Sequence, residues 1–450
     1  MQSMKNSLAQ YYRCPEEHAR FVLNGELSKT KGYFRLGQDI LCYGRCSGIH
    51  PSQLSSGPLP DVCQEIIIED GTVRLPFDLQ EVADGLRFER YAAPSGNGDS
   101  SRTSTTTKMY YFIRPVLPVT VRKHLQRVRL NGWSKIQFPH WPVDWSVDNL
   151  FESMLLRSLK SQSADTIPFI WFWPEGASSC AIMTHDVETT EGRDFCSTLM
   201  DINDSFGIKS SFQVVPEVRY EVPESYLSSI RDRGFEVNVQ DLNHDGHLYR
   251  NRKQFRERVA KINAYGKQYK AAGFRAGVLY RNEEWYEEFD FEYDMSVPNV
   301  AHLDPQRGGC CTVMPYFIGD LLELPVTTTQ DYSLFHILKD YSIDLWKQQT
   351  ELIMAKHGMS SFIVHPDYII DDRERQTYRE LLAYLAELRD TKGVWLPTPF
   401  EVNRWWRQRD KMELVEDSSG KWRIEGEGKE RARVAYASEK DGQIEYTLED

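Results

Sequence analysis

Between residues 165 and 410 the sequence repeats a single alternation, and this restricts the fold more than any other feature. Short apolar runs recur as CAIMTHDV, SSFQVVPE, FEVNVQD, FRAGVLY, YDMSVPN, LLELPVT, SSFIVHPD and GVWLPTP. Between most of them lie segments with helical spacing of apolar residues, over 192–206, 223–233, 251–272, 333–357 and 373–390. Runs that are apolar at nearly every position are strands covered on both faces, and strands alternating with amphipathic helices build a parallel sheet. About eight such units predict a distorted (β/α) barrel, an α/β fold whose chemistry gathers on loops at the carboxyl ends of the strands.

The flanks differ in texture. Residues 1–150 carry short β-like runs, EIIIEDGTVRLPF and KMYYFIRPVLPVTV, around the polar stretch PSGNGDSSRTSTTT, which has the composition of a surface loop. They are expected to form a β-rich accessory domain, with Trp133, Trp141 and Trp145 available for packing or for stacking on a sugar. Residues 411–450 read as a small β appendage with turns at Ser418–Gly420 and Asp441-Gly442.

A formal net charge of -12 argues against a broad nucleic-acid footprint, which needs a basic face to displace counterions. No stretch is long and apolar enough for a membrane span, and the first twenty residues lack the apolar core of a secretory signal. The 8 cysteines form no paired CxxC set, so a zinc ribbon is not expected, and a reduced, cytoplasmic setting is.

Ionisable residues sit at the ends of the apolar runs. In THDVE, alternation along a strand would send Asp186 and Glu188 to the same side. Two acids so placed suit a metal ligand beside a proton carrier, or else a helix cap beside a solvated glutamate. QDLNHDGHLY brings Gln240, His244 and His247, and a helical turn would put the two histidines on one face. FIVHPDY ends a strand on His365, placed either for acid catalysis or as a core histidine bonded to backbone.

Taken in order, these pieces resemble the polysaccharide deacetylase family, the NodB-homology carbohydrate esterases. The family's first motif is acid-rich, T-F-D-D or a D-x-D variant, and is matched by Thr184-His185-Asp186-Val187-Glu188. Its G-x-E strand start is matched by Gly234-Phe235-Glu236, its Phe-Arg by Phe274-Arg275, and its apolar run ending in His by Phe362-Ile363-Val364-His365. The resemblance covers about residues 175 to 400. It implies Asp186 as general base, held by Arg275, with His365 protonating the leaving amine. It further implies a divalent metal, zinc in the first place, on Glu188 and His244. Counted from Gly234, the family's other metal histidine falls on Gln240, and His247 could supply the missing nitrogen. The implied activity is hydrolysis of an N-acetyl group on a sugar or glycan precursor. The alternatives are a degenerate barrel that binds carbohydrate without cleaving it, and an amidase on a small non-sugar C–N bond.

Overall fold

The computed structural model describes residues 7–92 and 132–449. The polar stretch 94–107 and the expected strand KMYYFIRPVLPVTV lie outside the described residues.

The alternation folds into one nine-stranded sheet. Its strands are β1 (Ser179–Val187), β2 (Ser211–Val214), β3 (Glu236–Gln240), β4 (Gly273–Arg275), β5 (Tyr293–Asp294), β6 (Tyr316–Ile318), β7 (Leu321–Glu323), β8 (Met359–Ile363) and β9 (Val394–Trp395). Their order is β6-β7-β5-β4-β3-β2-β1-β8, with β9 pairing the first residues of β1. All pairs are parallel except β6–β7. This is the α/β architecture that the sequence predicts, a distorted (β/α) barrel with further elements at both ends of the chain.

The curl is completed by side chains rather than by a strand ladder. Pro325, just beyond β7, has no N–H to continue one. Instead, the Thr327 hydroxyl donates to the Met359 carbonyl at 2.7 Å and accepts from the Ser361 N–H at 2.8 Å. The Thr328 hydroxyl donates to the Ser361 carbonyl at 2.8 Å.

Two expected elements are shorter than their apolar runs suggest. In FRAGVLY the strand stops at Arg275, because Val278 and Leu279 take left-handed backbone with φ of 62° and 52°. Over 333–357, one wide turn at Tyr332–Leu338 is followed by a separate helix, Asp344–Met354, with Lys339 left-handed between them.

Outside the sheet, Ile67–Glu69 and Thr72–Leu75 form a hairpin around Asp70-Gly71, and Val434–Lys440 and Gln443–Leu448 form another around Asp441-Gly442. Both central residues of each turn have positive φ, which is why Asp-Gly occupies them. Val434–Lys440 also pairs antiparallel with Thr166–Ile170, which leads into β1. One apolar core joins Tyr12, Phe151, Phe169, Trp405 and Ala435; a second, under the outer helices, includes Val214, Ile262 and Leu382. No helix among the described residues is long and apolar enough to cross a membrane.

Candidate active site

Strand β1 is buried along its whole length, and its period-2 alternation sorts its polar residues. Thr184 and Asp186 face the barrel interior, and Glu188 follows on the same side. His185 points the other way, into the outer core. The helix that follows, Thr190–Ser205, is capped by the Thr189 hydroxyl, which accepts from the Gly192 N–H at 3.0 Å. The cap is therefore threonine, and both acids are left for other work.

Arg275, fully buried at the end of β4, donates from Nη1 to Asp186 Oδ1 at 2.8 Å and to Thr184 Oγ1 at 2.9 Å. Its Nε donates to the Met295 carbonyl at 3.0 Å, so the guanidinium is fixed from two sides. Gln240, in register with Arg275, ends β3 beneath the two acids. Its Nε2 donates to Asp186 Oδ2 at 3.1 Å and to Glu188 Oε1 at 3.2 Å, while its Oε1 is buried without a partner.

Glu188 is the meeting point of the site. Its Oε1 lies 2.8 Å from His244 Nε2 and 3.4 Å from His365 Nε2. Burial opposes its charge, but the two imidazoles outweigh burial and hold the carboxyl well below the usual range. The effect is mutual: burial lowers the His244 pKa, and Glu188 more than reverses this.

His365 is gripped by Asp331, a residue that carried no signal in the sequence. Asp331 Oδ1 accepts from His365 Nδ1 at 2.7 Å, and Oδ2 accepts from the His365 backbone N–H at the same distance. Burial works against a charged imidazole here, yet Asp331 and Glu188 raise its pKa well above 6.5. Asp331 Oδ1 also accepts from the Tyr332 N–H at 2.7 Å, at the start of the wide turn Tyr332–Leu338.

His247 is not brought to this group. The 241–250 segment forms no helix, and left-handed backbone at Asp241 and His244 turns the chain outward. His247 is 47% exposed and lies 3.6 Å from Asp245, which Arg258 holds. The expectation that a helical turn would align His244 with His247 is corrected accordingly.

Whether the chain fits a divalent metal depends on donor chemistry. The set implied by the resemblance, Glu188, His244 and Gln240, offers one carboxylate, one imidazole and one neutral amide. The amide turns N–H donors, not its oxygen, toward the acids, and amide oxygen is a poor match to a transition metal that prefers imidazole. Another group of possible ligands is present: donor atoms of Asp186, Glu188 and His365 lie within 4.8 Å of one another. That triad offers two carboxylates and one imidazole, donor types that suit a divalent metal. The set of Glu188, His244 and Gln240 does not fit a transition metal, whereas Asp186, Glu188 and His365 form a group of possible ligands for a divalent ion.

No family model and no curated protein matches the sequence. Solved structures do. A putative polysaccharide deacetylase from Mycobacterium smegmatis is 20% identical, with a TM-score of 0.44 over 53% of this chain and 93% of that one. An allantoinase is 13% identical, with a TM-score of 0.42 over 52% and 92%. A probable polysaccharide deacetylase from Pseudomonas aeruginosa PAO1 is 13% identical, with a TM-score of 0.41 over 51% and 91%. The chain is thus similar, over about half its length, to nearly the whole of each of these proteins.

Proposed function

We propose that the protein hydrolyses an amide C–N bond, removing an N-acetyl group from a sugar or glycan precursor. One observation carries this reading. Asp186 and His365 are each locked by a dedicated buried partner, Arg275 and Asp331, and converge on either side of Glu188. A base and an acid brought together, each fixed by its own buried partner, are what acyl transfer to water needs.

In this reading Asp186 takes a proton from water as the water oxygen bonds to the acetyl carbon. The C–N bond then breaks, the leaving nitrogen takes the His365 Nε2 proton, and acetate and an amine depart. Arg275 aims the Asp186 carboxylate. Gln240, bridging Asp186 and Glu188, keeps two neighbouring acids at fixed separation. Glu188 stabilises the imidazolium before the proton is given up.

Acetate release from N-acetylglucosamine and its oligomers is the direct assay. Asp186→Asn is expected to lower kcat by about 10²–10⁴-fold with the fold intact. Unchanged turnover would remove Asp186 from the mechanism.

Gln240 favours a second reading, a barrel that binds carbohydrate without cleaving it, since it stands where the resemblance expects a histidine. Zinc is the ion that the resemblance implies. Gln240→His is expected to bind one zinc ion per chain and to gain a zinc-dependent rise in Tm that the wild type lacks. Equal zinc uptake by both proteins would show that Gln240 is no obstacle to a metal.

A further inference from the structure

The N-terminal segment places one buried carboxylate against the loop that follows β4. Glu89 comes just after the helix Leu79–Arg87 and takes left-handed backbone, with φ of 49°. From there its side chain reaches Arg281, 192 positions later in the chain. Arg281 Nε donates to Glu89 Oε2 at 2.5 Å and Nη2 donates to Oε1, a two-pronged pair in which both side chains are buried. Room for it exists because residue 308 is glycine, where a Cβ would collide with Glu89 Oε1.

Two carboxyls of the barrel lie closer to Arg281 in sequence, yet neither takes the guanidinium fork. Burial, with Glu89 beside it, pushes Glu283 up to about 8. Burial pushes Asp304 up to about 6, and Asp304 accepts instead from Gln330 Nε2 at 2.8 Å. The partner of Arg281 is therefore supplied from outside the barrel.

On its other side Arg281 holds the loop. Its Nη1 donates to the Leu279 carbonyl at 2.9 Å, and its backbone exchanges two hydrogen bonds of 3.1 Å with the Gln306 amide. Leu279 and Val278 are both left-handed. That backbone is unfavourable for a residue with a Cβ, most of all for β-branched valine, and persists where the surroundings fix it. Gly277 lets the same loop lie directly on the site: a Cβ there would be 2.6 Å from Asp241 Oδ2 and 3.0 Å from His244 Cδ2. His244 in turn meets Glu188 at 2.8 Å. A continuous line of contacts thus runs from Glu89 through Arg281, the 277–279 loop and His244 to Glu188.

We propose that Glu89 is a positioning residue for the active site: the N-terminal segment supplies the carboxylate that fixes the 277–281 loop, and the loop fixes His244 against Glu188. The clasp on the loop rests on the geometry alone; its effect on turnover rests on the hydrolase reading.

Glu89→Gln keeps the size of the side chain and removes its charge, leaving Arg281 with a weaker partner. Two measurements on the full chain, made well below the Tm of the variant, read the consequences separately. The Leu279 and Tyr280 amides close onto the Ala276 and Gly277 carbonyls. Their hydrogen exchange is expected to quicken about tenfold or more, with that of β1 unchanged. Acetate release from N-acetylglucosamine oligomers is expected to lose about 10- to 100-fold in kcat, with KM within about twofold, because His244 and Glu188 serve the proton transfer and not binding. Glu89→Asp keeps the charge but is one methylene short; it is expected to fall between, and it carries the comparison if Glu89→Gln does not fold. Faster exchange throughout the chain, with kcat per folded molecule unchanged, would make the pair merely structural and overturn the proposal. Unchanged exchange in the loop overturns the clasp itself. Faster exchange confined to the loop, with kcat unchanged, keeps the clasp and overturns its part in positioning. Loop exchange that quickens while even the wild type releases no acetate keeps the clasp and removes the hydrolase.

Discussion

Asp331 shows how much one buried carboxylate decides. It fixes the His365 ring through Nδ1, leaves Nε2 facing Glu188, and raises the imidazole pKa against the effect of burial. In Asp331→Asn, burial is no longer outweighed to the same degree, so the His365 pKa falls. The proposed acid must be protonated, and activity disappears as pH rises through its pKa. The basic limb of the kcat–pH profile is therefore expected to move to lower pH, with kcat at pH 8 falling by about 10²–10⁴-fold and less at pH 6. A uniform loss across pH would assign Asp331 to stability alone. Strand-end position makes Asp186, Glu188, Gln240, Arg275 and His365 legible from sequence. Asp331 is not, because the residue that caps a helix and the residue that orients an imidazole are the same residue. His247 shows the reverse: spacing alone suggested a partner for His244, and left-handed backbone at Asp241 and His244 sends it outward.

At the scale of the element, β1 makes one strand serve two environments. Its inward residues build the site, and His185, one position out of phase, is buried in the outer core. Its Nδ1–H donates to the Val364 carbonyl at 3.0 Å, so Nε2 is the acceptor, and it faces the Asn203 amide at 3.1 Å. A second proton on this ring would meet an N–H donor in a dry environment, and burial lowers its pKa to about 3. The sign follows from proton binding. Between pH 6.5 and about 3 the unfolded chain binds the proton and the folded chain does not. This stabilisation is complete above 6.5 and declines as pH falls, by about 1.4 kcal/mol per unit. Urea denaturation at pH 7, 5 and 4 is expected to show a steeper acid loss in wild type than in His185→Gln, a comparison in which the other titrating groups cancel. Parallel slopes would mean that His185 is protonated in the folded state. The alternation that places His185 was legible in THDVE, whereas its tautomer was not, because its partners Val364 and Asn203 are distant in sequence.

For the whole molecule, the β elements after residue 411 pack on the rest of the chain and share its core. Val434–Lys440 is the middle strand between its hairpin partner and Thr166–Ile170, so it covers an edge that would otherwise be open. Arg409, in the last barrel helix and 1% exposed, shows how the ends are tied together. It donates to the carbonyls of Tyr11 at 2.9 Å and Tyr12 at 3.1 Å, and also to Ile170 and Trp171. These contacts join the N-terminal helix, the strand before β1 and the helix Pro399–Lys411. Sequence texture separated these segments because each is short and locally unremarkable in composition; the pairing between residues 166 and 438 is a long-range contact that no local pattern reports. An appendage could be removed without harm to the barrel. A shared core could not: the chain ending at 411 would uncover the edge of Thr166–Ile170 and the apolar side chains of Phe169 and Trp171. That truncation is expected to be insoluble or to unfold below about 40 °C, and Arg409→Met in the full chain is expected to cost about 2–4 kcal/mol by leaving buried carbonyls unpaired. Calorimetry on the full chain should then show a single transition, shifted as a whole by Arg409→Met. A soluble truncation that keeps the wild-type Tm would restore the tail to the status of an attachment, and two separate transitions would divide the core that these contacts join.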